Sequence, residues 1–213
     1  MHKRTQLMIA ALAMTGLSSL AHAAYIDTTF TSGMTTSVAG ATVVDFNSGK
    51  PAYYTGQGSV TSGSISGQTA APAGDGTPYL SVAYPWETGS MVATLGASYN
   101  YFGLYWGSID NYNTLKFYDG GSLIATITGS DVIASGTALG DQISPGSNRY
   151  VNFFFNDAGF NKVVFSTSGY AFESDNHAYA NVNKVPEPAS LALMAFGLAA
   201  VGFAARRRQT VRS

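Results

Sequence analysis

The chain has 213 residues, of which 11% are charged and 13% aromatic, with 24 glycines and no cysteine. That length suits one domain with appendages, and the missing cysteine excludes disulfides, thiolate metal sites and cysteine nucleophiles. The net charge of −1 hides a segregation: residues 24–184 hold eleven of the twelve acids but five of the eleven bases, a body six charges negative that argues against a nucleic-acid surface.

Residues 1–23 read as a cleaved secretory signal peptide. His2-Lys3-Arg4 is the basic start, 7–20 is a mostly apolar run, and Ala21-His22-Ala23 gives signal peptidase its small-x-small site before Ala24. From 24 to 184 no helical periodicity is sustained. Short alternating runs are broken instead by Gly, Pro, Asn and Asp, which predicts strands and turns. Strands are expected at 42–46 and 79–84, with a weak strand or mobile loop over 55–78. The clearest run is 99–107: Phe102, Leu104 and Trp106 fall on one face, Tyr99, Tyr101 and Tyr105 on the other. A polar turn over 108–113 leads to 114–118, with Leu115 and Phe117 inward and Lys116 and Tyr118 outward. Asp119-Gly120-Gly121 is a hairpin signal, after which Leu123, Ala125 and Ile127 continue the inward pattern. Val151, Phe153 and Phe155, then Val163 and Phe165, repeat it, and 172–178 closes the body. About eight strands predict an all-β, jelly-roll-like antiparallel β-sandwich over 24–184.

The chemistry open to this body is narrow. His177 is the one histidine left after signal-peptide removal, so a multi-histidine metal site is excluded and a Ser-His-Asp triad would have to use it. Gly63-Ser64-Ile65-Ser66-Gly67 has Ile where a nucleophile elbow needs Ser, and Gly49-Lys50-Pro51 lacks a phosphate loop's upstream glycine. No catalytic residue is assigned. Glu173 and Asp175, at i and i+2 on one strand face, stand about 7 Å apart, within reach of two-carboxylate glycan cleavage; a solvated strand edge is the plainer reading. Glu173, Asp175 and Asn176, with Asp45 if its strand pairs with the last one, also form an oxygen-rich set for structural Ca²⁺. In this the segment is similar to the last strand of many jelly-roll glycan-binding modules. Tyr99, Tyr101, Tyr105 and Tyr118 would share one face if 99–107 and 114–118 pair as a hairpin, and exposed rings there could stack on sugars. Because both faces of 99–106 are aromatic, a central strand covered on both sides is the competing expectation.

The tail is the most specific segment. Val185-Pro186-Glu187-Pro188 leads into 189–205, 17 uncharged residues, and then Arg206-Arg207-Arg208 within a basic tail over 206–213. As a helix the apolar run would reach about 26 Å, enough for a single transmembrane span. The arginines would stay cytoplasmic and leave the body outside. Together these three parts, over 185–213, resemble the PEP-CTERM sorting signal, a segment also labelled an ice-binding protein C-terminal domain. The resemblance implies a membrane-embedded exosortase as partner, transient anchoring in the inner membrane, removal of the tail near Pro-Glu-Pro, and release or surface attachment. The run 101–115 with Phe117-Tyr118, Pro72-Ala73-Gly74-Asp75, Tyr79-Leu80 and 172–176 also resembles a group of exosortase-dependent surface proteins, which implies export and architecture and no chemistry.

The leading expectation is an exported, non-enzymatic surface or extracellular-matrix protein in an exopolysaccharide or biofilm setting. Its rivals are a glycan-binding β-sandwich module and a carboxylate-dependent glycan-cleaving enzyme.

Overall fold

The computed structural model describes residues 24–182, so the signal peptide, the Pro-Glu-Pro motif, the 189–205 span and the basic tail lie outside the described residues. Alternating side chains with turn residues between them make strands of almost all the regular secondary structure in the described residues. In chain order these are β1 (Ile26–Thr31), β2 (Thr42–Val44), β3 (Tyr54–Gly56), β4 (Gly58–Thr61), β5 (Tyr79–Val82), β6 (Gly89–Tyr99), β7 (Tyr101–Trp106), β8 (Asn113–Asp119), β9 (Ser122–Thr128), β10 (Arg149–Phe155), β11 (Phe160–Thr167) and β12 (Phe172–Ala180). A single helical turn, α1 (Gly129–Val132), follows β9. Among the described residues no helix is long and apolar enough to cross a membrane.

The strands form two antiparallel sheets. One runs β1-β10-β7-β12-β5-β4, with β2 also paired to β12; the other runs β3-β6-β11-β8-β9. From β5 onward the chain changes sheet at every connection except the β8–β9 hairpin. The inner orders β10-β7-β12-β5 and β6-β11-β8-β9 are the winding expected of a jelly-roll-like sandwich. Both sheets feed one core. Phe102, Leu104, Trp106, Leu115, Phe117, Val151, Phe153, Phe155, Val163 and Phe165 are all buried in it, as their alternation predicts. Phe117 meets Phe155 and Phe160 edge-on at 4.9 and 5.2 Å, and Trp106 stacks on Phe172 at 4.5 Å.

Three expectations need correction. Among the described residues there are twelve strands rather than about eight; the sequence pattern does not announce β1 or β6, and the short β3 and β4 fall at the start of the 55–78 stretch read as a weak strand or mobile loop. Leu123 is exposed, because the β8–β9 register slips between Phe117 and Tyr118 and turns Ile124 toward the core instead. Most important, β7 and β8 are no hairpin. They belong to opposite sheets, and residues 107–112 cross between them.

The outer face of the first sheet is not solvated. Residues 32–41 and 62–78 lie across it. Tyr101 Oη donates to Asn152 Oδ1 at 2.7 Å and sits 2.6 Å from Thr36 Oγ1, while Tyr105 Oη donates to the Ala73 carbonyl at 2.6 Å. Gly103 lies between these rings because a side chain there would run into the Tyr101 and Tyr150 hydroxyls.

Candidate functional site

β12 positions the site. Alternation sends Phe172 and Ser174 into the core and Glu173 and Asp175 to the covered outer face, where both are buried. Asn176 then adopts a left-handed φ of 50°, and the pairing with β7 slips from Asp175↔Tyr105 to Ala178↔Gly103. This one-residue bulge reverses the phase and turns His177 inward. The His177 ring stacks on Phe165 at 4.8 Å, with Nδ1 3.0 Å from Tyr54 Oη and Nε2 2.9 Å from Ser174 Oγ. Burial pushes its pKa down to about 3, so it stays neutral. The histidine is core, and its ring nitrogens meet hydroxyls rather than a carboxylate.

Glu173 faces a cleft of about 550 Å³ at the end of the sandwich where the β7–β8, β9–β10 and β11–β12 connections gather. Residues 64–70 form its remaining wall. Glu173 Oε1 accepts the Ala70 N–H at 2.8 Å and lies 3.3 Å from the Thr69 hydroxyl, which leaves Oε2 as the oxygen available to the cleft. Burial raises the Glu173 carboxyl to about 7 against these stabilising hydrogen bonds, so near neutrality it is half protonated. Asp110 lines the same cleft, and burial raises it as well. Tyr112 Oη lies 2.6 Å from Asp110 Oδ2 and 2.5 Å from the Tyr170 carbonyl. The single Tyr112 hydroxyl proton is thus shared between a carboxylate and a carbonyl acceptor. Ser108, held at a φ of 42°, adds a buried hydroxyl without a partner among the described residues. Among the described residues no lysine, arginine or histidine lines this cleft. It is built to exchange hydrogen bonds with neutral hydroxyls and to repel anions.

The sequence-predicted residues are dispersed. Asp45 is exposed and spends its carboxylate on the Asn47 amide groups at 3.1 and 2.9 Å. Glu173 opens on the cleft, whereas Asp175 and Asn176 lie beneath residues 72–77. The four therefore do not converge, and among the described residues no group of three or more His, Cys, Asp or Glu is placed to hold a metal. The pairing of Glu173 with Asp175 as two catalytic carboxylates fails too, since Asp175 does not line the cleft that Glu173 opens on. The tyrosines share no face. Tyr101 and Tyr105 are buried on the first sheet, Tyr99 packs edge-on against Tyr179 at 4.8 Å, and Tyr118 lies on the second sheet under the Lys162 ammonium. Covering, rather than a stacking surface, accounts for that aromatic strand. Asp110, Tyr112 and Asp75 were not singled out by sequence reasoning. Asp110 and Tyr112 sit in the polar 108–113 turn and Asp75 in the Pro72–Asp75 stretch, and only the topology brings any of them to β12.

Residues 184–208 match the family described as the PEP-CTERM protein-sorting motif. The motif implies exosortase-dependent sorting of an exported protein. No curated protein and no solved structure matches the chain.

Proposed function

We propose that this chain is a non-enzymatic surface or extracellular-matrix protein, delivered by the exosortase pathway and working in a polysaccharide-rich setting. The observation that carries the reading is the sorting motif at 184–208, placed directly behind an all-β body whose last strand ends at Ala180. The apolar run 189–205 anchors the precursor in the inner membrane with Arg206-Arg207-Arg208 on the cytoplasmic side, and cleavage frees the body for the cell surface. Mass spectrometry of the mature protein from its own host tests this. The expected form begins at or near Ala24 and lacks the arginine triplet. Replacing Pro186, Glu187 and Pro188 should leave the tail in place; an intact tail on the wild-type surface form would sink the reading.

The cleft favours a second, compatible role, the binding of neutral glycan. Its volume falls within the usual range for ligand sites, roughly 300–1,000 Å³. Half-protonated Glu173 can both donate to and accept from a sugar hydroxyl, and the Tyr170 ring, 40% exposed, offers a stacking edge. A glycan array with wild type and Glu173→Gln reads this directly: neutral glycans should bind and the substitution should weaken them at least tenfold. Reducing-sugar release that disappears in both Glu173→Gln and Asp110→Asn would replace binding by cleavage.

A further inference from the structure

Asp175 is fully buried on the outer face of the first sheet. Its Oδ2 accepts from the Asn176 amide at 3.1 Å and lies 3.3 Å from Thr77 Oγ1, while its Oδ1 is buried without a partner. The same Thr77 hydroxyl is 2.6 Å from Asp75 Oδ1, which also takes the Thr77 N–H at 2.9 Å. Asp75 Oδ2 is a second buried oxygen without a partner. Thr77 Oγ1 thus stands between the two carboxylates, closer to Asp75, and each carboxylate has an oxygen without a hydrogen-bond partner. The groups that feel their charge are the Tyr79, Tyr105 and Tyr150 phenols. Among the described residues no lysine, arginine or histidine pairs with either acid. Two carboxylates sharing a dry site require a positive charge between them, either a proton or a cation.

We propose that Asp75 Oδ2 and Asp175 Oδ1 are ligands of a calcium-type divalent cation that pins residues 62–78 to the first sheet. Hard anionic oxygens are what such a cation takes, and water completes the shell where a protein supplies few ligands. An irregular mixture of loop, side-chain and water oxygens suits calcium, which accepts six to eight ligands in flexible geometry; magnesium demands a near-ideal octahedron. Two carboxylates place the site in the weak class of extracellular modules, with dissociation constants on the order of 10⁻⁴–10⁻³ M. The choice of a millimolar extracellular ion rests on the exported reading. Without the ion, burial and the adjacent Asp75 raise the Asp175 carboxyl.

The test uses the full-length chain purified in detergent, stripped with chelator and returned to calcium chloride at pH 7.5. At a hundredfold excess over the dissociation constant the melting temperature should rise by about 5–10 °C. Terbium, excited through the neighbouring tyrosines, should luminesce on binding and be displaced by calcium. Both responses should vanish in Asp75→Asn, a half-buried loop position that tolerates the change, and in Asp175→Asn. A melting curve identical in chelator and calcium assigns the pair to a shared proton and overturns the proposal. A calcium response that survives both substitutions does the same, and an equal response to magnesium overturns the calcium assignment. Sorting is read separately from the terminal masses, so failure of one reading is distinguishable from failure of the other.

Discussion

Trp106 shows how much one side chain carries. It is fully buried, stacked on Phe172, and belongs to the core that both sheets share. Trp106→Ala should cost about 3–5 kcal/mol in urea unfolding, the range for truncating a large aromatic where neighbours cannot collapse. Lys116 is on the opposite phase of β8, so Lys116→Ala should cost well under 1 kcal/mol. Tyr101 and Tyr105 answer a different question. Their hydroxyls are fixed to Asn152 and to the Ala73 carbonyl, so replacing both by Ala removes packing and leaves buried acceptors unpaired. The double variant should lose its cooperative transition. A well-folded double variant that had merely lost an affinity for sugar would restore the tyrosine face as a binding surface.

At the scale of elements, the bulge in β12 decides which groups reach the core and which reach the outer face. Asn suits a left-handed φ better than any β-branched residue, so Asn176→Val should be less stable than Asn176→Gly by about 1–3 kcal/mol. Denaturant titration of the two variants gives the ranking. The bulge was not legible in the sequence. Phe172 to Ala178 reads there as one uninterrupted strand, and nothing in Ser174-Asp175-Asn176-His177 marks the change of phase. β7, β8, β10 and β11 were legible, because large aromatic and aliphatic residues alternate in them with polar ones. β6 was not, because its inward Met91, Ala93 and Leu95 are separated by small residues whose contrast with the core is slight. The polar 108–113 turn was legible as a turn, but not as a crossing between sheets. Turn residues encode a change of direction and leave open whether the next strand pairs in plane or packs opposite. That single ambiguity explains both the false tyrosine face and the unseen cleft, since Asp110 reaches Glu173 only if the chain crosses there. The acid pair failed to show for the same reason: Asp75 and Asp175 are joined by a loop folded over a sheet, and no sequence spacing records such a contact.

Across the whole molecule, the buried ionisable groups set opposing pH dependences, and their sum is a testable signature. Glu173, raised from 4.5 to about 7, and Asp175, raised from 3.8 to about 8, bind protons more tightly in the folded than in the unfolded chain. Their stabilising contribution is therefore complete below the unfolded values and is lost as pH rises through about 7 and 8. His177, lowered from 6.5 to about 3, acts the other way and withdraws stability as pH falls below 6.5. Between 4.5 and 6.5 two acids oppose one histidine; above 6.5 the acids act alone. In chelator the melting temperature should therefore fall from about pH 5 to about pH 8.5, most steeply between about 6.5 and 7, where both acids act unopposed. Most proteins keep their greatest stability between about pH 5 and 8, so a continuous decline through that window is diagnostic. Glu173→Gln, which cannot ionise, should flatten the stretch up to 7, and calcium at the Asp75–Asp175 pair should flatten the stretch up to 8 by replacing the proton. Thermal melts at half-unit pH intervals, with and without calcium, separate the two contributions. A melting temperature that climbs from pH 5 to pH 8 in chelator would mean that both carboxyls ionise freely in the fold, and would remove the physical basis for the cleft's donor-acceptor chemistry and for the acid pair alike.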